Sequence, residues 1–253
     1  MNPALSASGL NRIREFVGAR SLLAFDIDGT LAPIVARPWD ARIPDELQLR
    51  LGAMTAARTV AIITGRAIAD AKPMLAFSPR YLIGNHGAEG VPGVELASAT
   101  YARECSKWLE VLRCDDEAWR ATPGITLEDK AYSIAFHYRH AQPREAALQL
   151  VQERAARLLP RPRLVHGNCV LNLVPQDAPH KGDALLALLA HSGCERSLYV
   201  GDDLTDEDVF RLKLPHVLSV GIDPRPESAA DLFLPSQGEV LKLLDEVARM
   251  VEA

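Results

Sequence analysis

Cysteine is scarce and shows no pairing pattern: Cys105, Cys114, Cys169 and Cys194 are the only four in 253 residues, with no C-x-x-C among them. That spacing excludes a zinc knuckle, a dithiol redox pair and a secreted disulfide scaffold, and leaves reduced thiols in a cytoplasmic protein as the expectation. Positive charge is not in excess either. With 28 Lys and Arg against 33 Asp and Glu the net charge is -5, so there is no basic stripe for a phosphate backbone and nucleic acid is not an expected partner. The arginines of 157–163 read as a solvated helix end and turn. No apolar run approaches the length that spans a bilayer, and Met1 to Phe16 mixes Asn, Arg and Glu among its apolar residues, so neither a membrane segment nor a signal-peptide core is expected. Internal repeats and low-complexity stretches are also lacking. What is present is a 48% hydrophobic chain, enough for one large domain or two modest ones, expected as a monomer.

Short apolar runs alternate with helical patterns at both ends of the chain. Leu22 to Phe25, a helix from about Asp45 to Ala57, Thr59 to Ile63, a helix near Ala67 to Leu75 and Tyr81 to Gly84 form the first series. A helix from Gly182 to His191, Leu198 to Val200, a helix near Asp206 to Leu212, Val217 to Val220 and a closing helix from Gly238 to Val251 form the second. That rhythm predicts an α/β protein with a Rossmann-like parallel-sheet core. Between the series the pattern changes: a long amphipathic helix near Tyr101 to Leu112 leads to strand-like Ile125 to Asp129 and Ser133 to Arg139, a helix near Arg144 to Leu159, and Val170 to Val174. We read residues 97–174 as an inserted α/β cap and residues 1–96 with 175–253 as the core. Pro92-Gly93, Pro175 and Pro179 punctuate the junctions, where hinges would let the insert tilt.

Chemistry is concentrated where strands end. Phe25-Asp26-Ile27-Asp28-Gly29-Thr30 puts two carboxylates two residues apart before a glycine turn, on one side of an extended segment. One can attack while the other moves a proton; an Asp-rich turn or half of a calcium loop fits the same six residues. Tyr199 to Glu207 repeats the layout with Asp202, Asp203 and Asp206. Two like charges about 4 Å apart repel by roughly 4 kcal/mol at an effective dielectric near 20, so acids gathered from both motifs call for a divalent cation. Hard oxygen ligands in tight turns suit magnesium better than zinc. Acidic residues at a helix N-terminus are the alternative reading, and the better one for Asp203, Glu207 and Asp208 individually. Thr64-Gly65-Arg66 at a strand end and His180-Lys181-Gly182 at a helix start both suit an anion, although each is also an ordinary helix entry.

Taken in order, D-x-D-G-T, a strand-ending Thr, a Lys and G-D-D-x-x-D resemble the haloacid-dehalogenase-type phosphatases. Ile63-Thr64-Gly65-Arg66, Asn85-His86-Gly87-Ala88-Glu89, Glu128-Asp129-Lys130, His137-Tyr138-Arg139, Lys181-Gly182 and Gly201 to Glu207 further resemble the trehalose-6-phosphate phosphatase family, from about Leu22 to Leu234. The resemblance implies a magnesium-dependent hydrolase of trehalose 6-phosphate, with Asp26 as nucleophile forming an aspartyl-phosphate, Asp28 as acid and base, and Thr64 and Lys181 holding the phosphoryl group. It implies that Asp26, Asp202 and the backbone carbonyl of Asp28 bind the metal, and that Asp206 acts through water. Gly65, Arg66, Glu128, Lys130 and Asn172 are the implied substrate-binding residues. Asn172 departs from the pattern: the family usually has Glu in this V-x-E-x-x-P strand, and the chain reads Val170-Leu171-Asn172-Leu173-Val174-Pro175. Another sugar ester, of the sucrose phosphate or mannosyl-glycerate phosphate type, is therefore the alternative substrate. A non-catalytic module phosphorylated on Asp26, like a response-regulator receiver, is the alternative from outside the enzymes.

Overall fold

Residues Ser21 to Phe25 are buried along their whole length, as a strand covered on both faces of a parallel sheet must be. The computed structural model describes residues 1–35, 37–114 and 122–252. Its strands are β1 (Asn2–Pro3), β2 (Ser21–Phe25), β3 (Thr59–Ile63), β4 (Tyr81–Ile83), β5 (Thr126–Asp129), β6 (Ile134–His137), β7 (Arg163–Gly167), β8 (Val170–Val174), β9 (Arg196–Gly201), β10 (Val217–Ile222) and β11 (Leu232–Leu234). They form a seven-stranded sheet in the order β1-β11-β10-β9-β2-β3-β4 and a four-stranded sheet in the order β5-β6-β8-β7. Every pairing in the first is parallel. Every pairing in the second is antiparallel.

The chain divides into two units, Met1–Pro92 with His180–Ala253, and Gly93–Pro179. In the first, the sheet grows outward from β2 through β3 and β4, and in the other direction through β9, β10 and β11. The strand order therefore reverses between β2 and β9, and side chains just past their carboxyl ends face a crevice. Helix Asp45–Thr55 buries Leu47, Leu51 and Met54, and helix Val240–Glu252 buries Val240, Leu243, Leu244 and Val247, all in one apolar cluster with the strands. The i, i+3, i+4 spacing of these residues is what lets a helix cover a sheet. Helix Lys181–Ser192 starts in a capping box, in which His180 Nδ1 accepts from the Asp183 amide and Asp183 Oδ2 accepts from the His180 amide, both at 3.1 Å. That reciprocal cap fixes the first turn, and with it Lys181.

Several local expectations change. The helix expected over 67–75 is helical only over Ile68–Ala71 and tightens to a 3-10 turn over Lys72–Met74, because Pro73 has no N–H to continue the ladder. The helix expected from Asp206 is a single turn, Glu207–Phe210. Arg163, read as part of a solvated turn, begins β7, and its Nη2 donates to the Ala178 carbonyl at 2.9 Å.

In the second unit the register places Glu128, Ala135, Asn172 and Val165 in one row across the sheet. The alternate residues Ile134, Phe136, Leu171 and Leu173 pack with Trp108, Leu109 and Leu112 of helix Glu95–Cys114 and with Ala147 and Val151 of helix Arg144–Ala155. One face of this sheet is thus apolar and helix-covered, and the other carries Glu128, His137 and Asn172. Among the described residues no helix is long and apolar enough to cross a membrane.

Candidate active site

The paired strands β2 and β9 are each followed directly by an acid, Asp26 and Asp202. The Asp26 amide still donates to Val200 O at 3.0 Å, extending the ladder by one residue, and Asp202 follows Gly201. One carboxylate oxygen from each of Asp26, Asp202 and Asp206 lies within 4.8 Å of the others. Gly29, with φ +82, turns the chain so tightly that a Cβ there would overlap the Asp202 carboxylate, so only glycine serves. Thr30 Oγ1 donates to Asp202 Oδ1 at 2.9 Å, binding one motif to the other.

The three acids are not equivalent. Asp206 is fully buried and saturated: Oδ1 accepts from Lys181 Nζ at 2.7 Å and from the Tyr199 hydroxyl at 2.5 Å, and Oδ2 accepts from the Asp202 and Asp203 amides at 2.9 Å each. Four donors make it an anchor for the 201–206 turn. Asp26 Oδ2 lies 3.1 Å from Lys181 Nζ, whereas Asp26 Oδ1 is buried with no hydrogen-bond partner. A buried oxygen of this kind is costly unless a ligand meets it.

Charge follows the same logic. Burial, with the nearby charges of Asp206 and Asp28, pushes Asp26 up to about 7, although Lys181 pulls it down. Asp202 is pushed up to about 8, by burial first and then by Asp26 and Asp206. Burial opposes the charge of Lys181, but Asp206 and Asp26 override it and raise its pKa. One lysine does not balance three acids, and a divalent cation with oxygen ligands fits the imbalance and the orphaned Asp26 oxygen together. The carboxylates suit such a metal site; no cysteine or histidine takes part in the cluster.

Thr64, buried at the end of β3, accepts the Arg66 amide on its hydroxyl oxygen at 3.3 Å. The Asn85–Glu89 loop wraps this turn: the Asn85 amide donates to Arg66 O at 2.8 Å and the His86 amide to Thr64 O at 3.0 Å. Asn85 and His86 have φ of 51° and 59°, a left-handed pair that is costly outside glycine. A Cβ on Gly65 would overlap the His86 ring. Glu89 Oε2 completes the brace, accepting from Asn85 Nδ2 at 2.8 Å and from the Ile68 amide at 2.9 Å.

Asp28 stands apart from the three-acid cluster. Arg66 Nε and Nη2 donate to its two oxygens at 2.6 Å each, and Nη2 also donates to Pro38 O at 2.9 Å. Burial alone would lower the Arg66 pKa, but the bidentate pair with Asp28 raises it. A guanidinium is thus the direct partner of Asp28.

Asp26, Asp28, Thr64, Gly65, Arg66, Lys181, Asp202 and Asp206 are therefore brought together at one edge of the parallel sheet. Glu207, by contrast, accepts the Ala229 amide at 3.0 Å, in keeping with a structural acid. In the second unit Glu128 Oε2 meets His137 Nε2 at 2.6 Å and Lys130 Nζ at 4.0 Å. Asn172 donates to Val165 O at 3.3 Å, and its Oδ1 is buried without a partner. Sequence reasoning assigned no role to Tyr199, Thr30, Asn85 or His86. A tyrosine in an otherwise apolar strand was the available signal for the first, since a buried hydroxyl needs a partner.

The sequence and the fold are both similar to those of known proteins. A rice (Oryza sativa subsp. japonica) protein named probable trehalose-phosphate phosphatase 4 is 28% identical over 229 residues, 85% of this chain but 62% of its own length. The trehalose-6-phosphate phosphatase of Escherichia coli K12 is 31% identical over 195 residues, 74% of this chain and 71% of its own. The chain thus spans less than two thirds of the rice relative. A solved C-terminal domain of Candida albicans trehalose-6-phosphate phosphatase superposes with a TM-score of 0.76 over 98% of both chains at 22% identity, so the two share a fold. The trehalose-phosphatase sequence profile matches residues 24–235. Because that match runs from the strand that delivers Asp26 to just past the last strand of the parallel sheet, the chain belongs to the trehalose-phosphatase family.

Proposed function

We propose that this protein hydrolyses trehalose 6-phosphate to trehalose and inorganic phosphate. The observation that carries the reading is the buried, unpartnered Asp26 Oδ1 beside Lys181 and Asp202. In the first step an Asp26 oxygen forms a bond to phosphorus as the bond from phosphorus to the sugar oxygen breaks, and Asp28 delivers a proton to that oxygen. In the second, water attacks the aspartyl-phosphate, Asp28 takes the water proton, and phosphate leaves with Asp26 restored. Asp28 exchanges its Arg66 contact to do this, since that guanidinium occupies both of its oxygens. Thr64 and Lys181 hold the phosphoryl oxygens, and position and field supply most of the acceleration. Asp26, Asp202 and the Asp28 carbonyl would hold Mg2+, with Asp206 acting behind them. Bound there, the ion supplies positive charge to the phosphoryl oxygens.

The inserted unit, which we take as the cap over roughly 97–174, would select the sugar through Glu128, Lys130 and Asn172. Four free cysteines fit a reducing, cytoplasmic setting, and we take the enzyme as a monomer. Because Asn172 offers an amide where the family usually has a carboxylate, another phosphorylated disaccharide is the second reading. Phosphate release from trehalose 6-phosphate, sucrose 6-phosphate and mannosyl-glycerate phosphate, with magnesium and with a chelator, tests both. Trehalose 6-phosphate is the expected best substrate, silent under chelation; an approximately twenty-fold preference for another ester (about 1.8 kcal/mol) would end the trehalose reading.

A further inference from the structure

We propose that Trp39 is a carbohydrate platform at the rim of the crevice, the side chain on which the sugar of the leaving group rests. The inference deepens the sugar-phosphatase reading and depends on it. Trp39 is 68% exposed, and among the described residues it is the one aromatic side chain left mostly in water. A large exposed indole on a fixed turn is unusual for a surface, because aromatic rings contribute most when covered.

Three arginines tie the turn to its surroundings. Pro38–Asp40 forms a 3-10 turn. Arg42 Nη1 donates to Trp39 O at 2.8 Å and to Ala41 O at 2.7 Å, and Arg37 Nε donates to Asp40 Oδ2 at 2.6 Å. The chain leaves the catalytic turn at Ala32, whose carbonyl accepts the Gly29 amide at 2.8 Å. It returns at Pro38, whose carbonyl accepts from Arg66 Nη2 at 2.9 Å. That same nitrogen donates to Asp28 Oδ1 at 2.6 Å. A single guanidinium therefore separates the backbone of the Trp39 turn from the carboxylate that protonates the leaving oxygen.

Chemistry specifies the occupant. The group attached to that oxygen is a hexose, which presents hydroxyls around its edge and an apolar C–H face. An indole offers a flat apolar face with one N–H, and it loses little conformational freedom when covered on a braced turn. A phosphoryl group has no such face. Trp39 would thus favour the sugar half of the ester and contribute nothing to phosphate itself.

The test compares trehalose 6-phosphate with acetyl phosphate, a ringless acyl phosphate, for wild type, Trp39→Ala and Trp39→Phe with magnesium. The expected result is an approximately tenfold fall in the ratio of kcat/KM values, sugar ester over acetyl phosphate, for Trp39→Ala. It is carried by KM for the sugar ester and largely recovered in Trp39→Phe. A Trp39→Ala ratio within about twofold of wild type, or no recovery with Phe, overturns the platform. Should wild type prefer a different hexose phosphate, the same ratio on that ester decides Trp39 while the trehalose reading falls separately. A wild-type chain silent on every sugar phosphate removes the phosphatase reading, and the platform with it.

Discussion

At the scale of single residues, three aspartates of one chemical type are given different work by their partners. Asp206 accepts four hydrogen bonds, Asp28 is clamped by Arg66, and Asp26 keeps one buried oxygen unmet. The residue with the least satisfied carboxylate is the one proposed as nucleophile, and a reactive site is where a protein sacrifices stability for function. Asp26→Asn tests both halves of that statement. Turnover should fall by about 10^4-fold or more, since an amide is no nucleophile. The metal-free variant should nonetheless melt no lower than wild type near pH 8, because the substitution removes a charge that burial opposes and Lys181 keeps Asp206. Phosphate release and thermal melts check the two arms, and a variant that retains turnover would show that the nucleophile is misassigned.

At the scale of elements, the phosphate-side turn depends on a loop from the next strand. Gly65 is needed because the His86 imidazole occupies the space a Cβ would take, and His86 is held there by a left-handed backbone. Gly65→Ala should cost about 1–3 kcal/mol in denaturant unfolding, the usual range for overpacking. It should also weaken inhibition by inorganic phosphate, since the displaced turn carries Thr64 and Arg66. Unchanged stability and unchanged phosphate inhibition together would mean that His86 simply moves aside. This brace marks the limit of what the sequence made legible. The strand-ending acids could be placed because apolar runs point to strands and glycine points to turns, whereas Thr64 and Lys181 stand out through the family resemblance, each being an ordinary helix entry when taken alone. Tyr199 is hidden inside an apolar run, and the Asp28–Arg66 pair joins positions 38 apart. β1 is two exposed residues, and β7 opens on Arg163 in a stretch rich in Arg and Pro. Such elements exist because a neighbouring strand offers hydrogen bonds, and that is tertiary information.

At the scale of the whole molecule, the crevice acids should set the pH dependence of stability. Asp26 and Asp202, ordinarily near 3.8, are raised to about 7 and about 8. Without metal, the folded chain therefore binds more protons than the unfolded chain across about pH 4–8, and the stability these groups contribute is lost as pH rises through that window. Asp203, raised chiefly by burial, acts in the same direction, while Asp231 and Lys181 act elsewhere. Asp231, lowered despite partial burial by hydrogen bonds from Ser219 and Lys213, gives stability that is lost only as pH falls below the ordinary carboxylate range, and raised Lys181 acts only at high pH. A divalent cation takes the deprotonated carboxylates, so its stabilisation must grow over the same interval. At about 100 times its Kd it adds ~2.7 kcal/mol, or about 5–11 °C in Tm at about 2–4 °C per kcal/mol. Melts of the chelated protein should thus fall from about pH 5 to about pH 8, and magnesium should restore much more at the higher pH than at the lower. Asp26→Asn, lacking one carboxylate, should show a smaller magnesium shift at both. An equal magnesium shift at the two pH values would place the ion away from these acids, because only a site that exchanges protons for metal couples the two titrations.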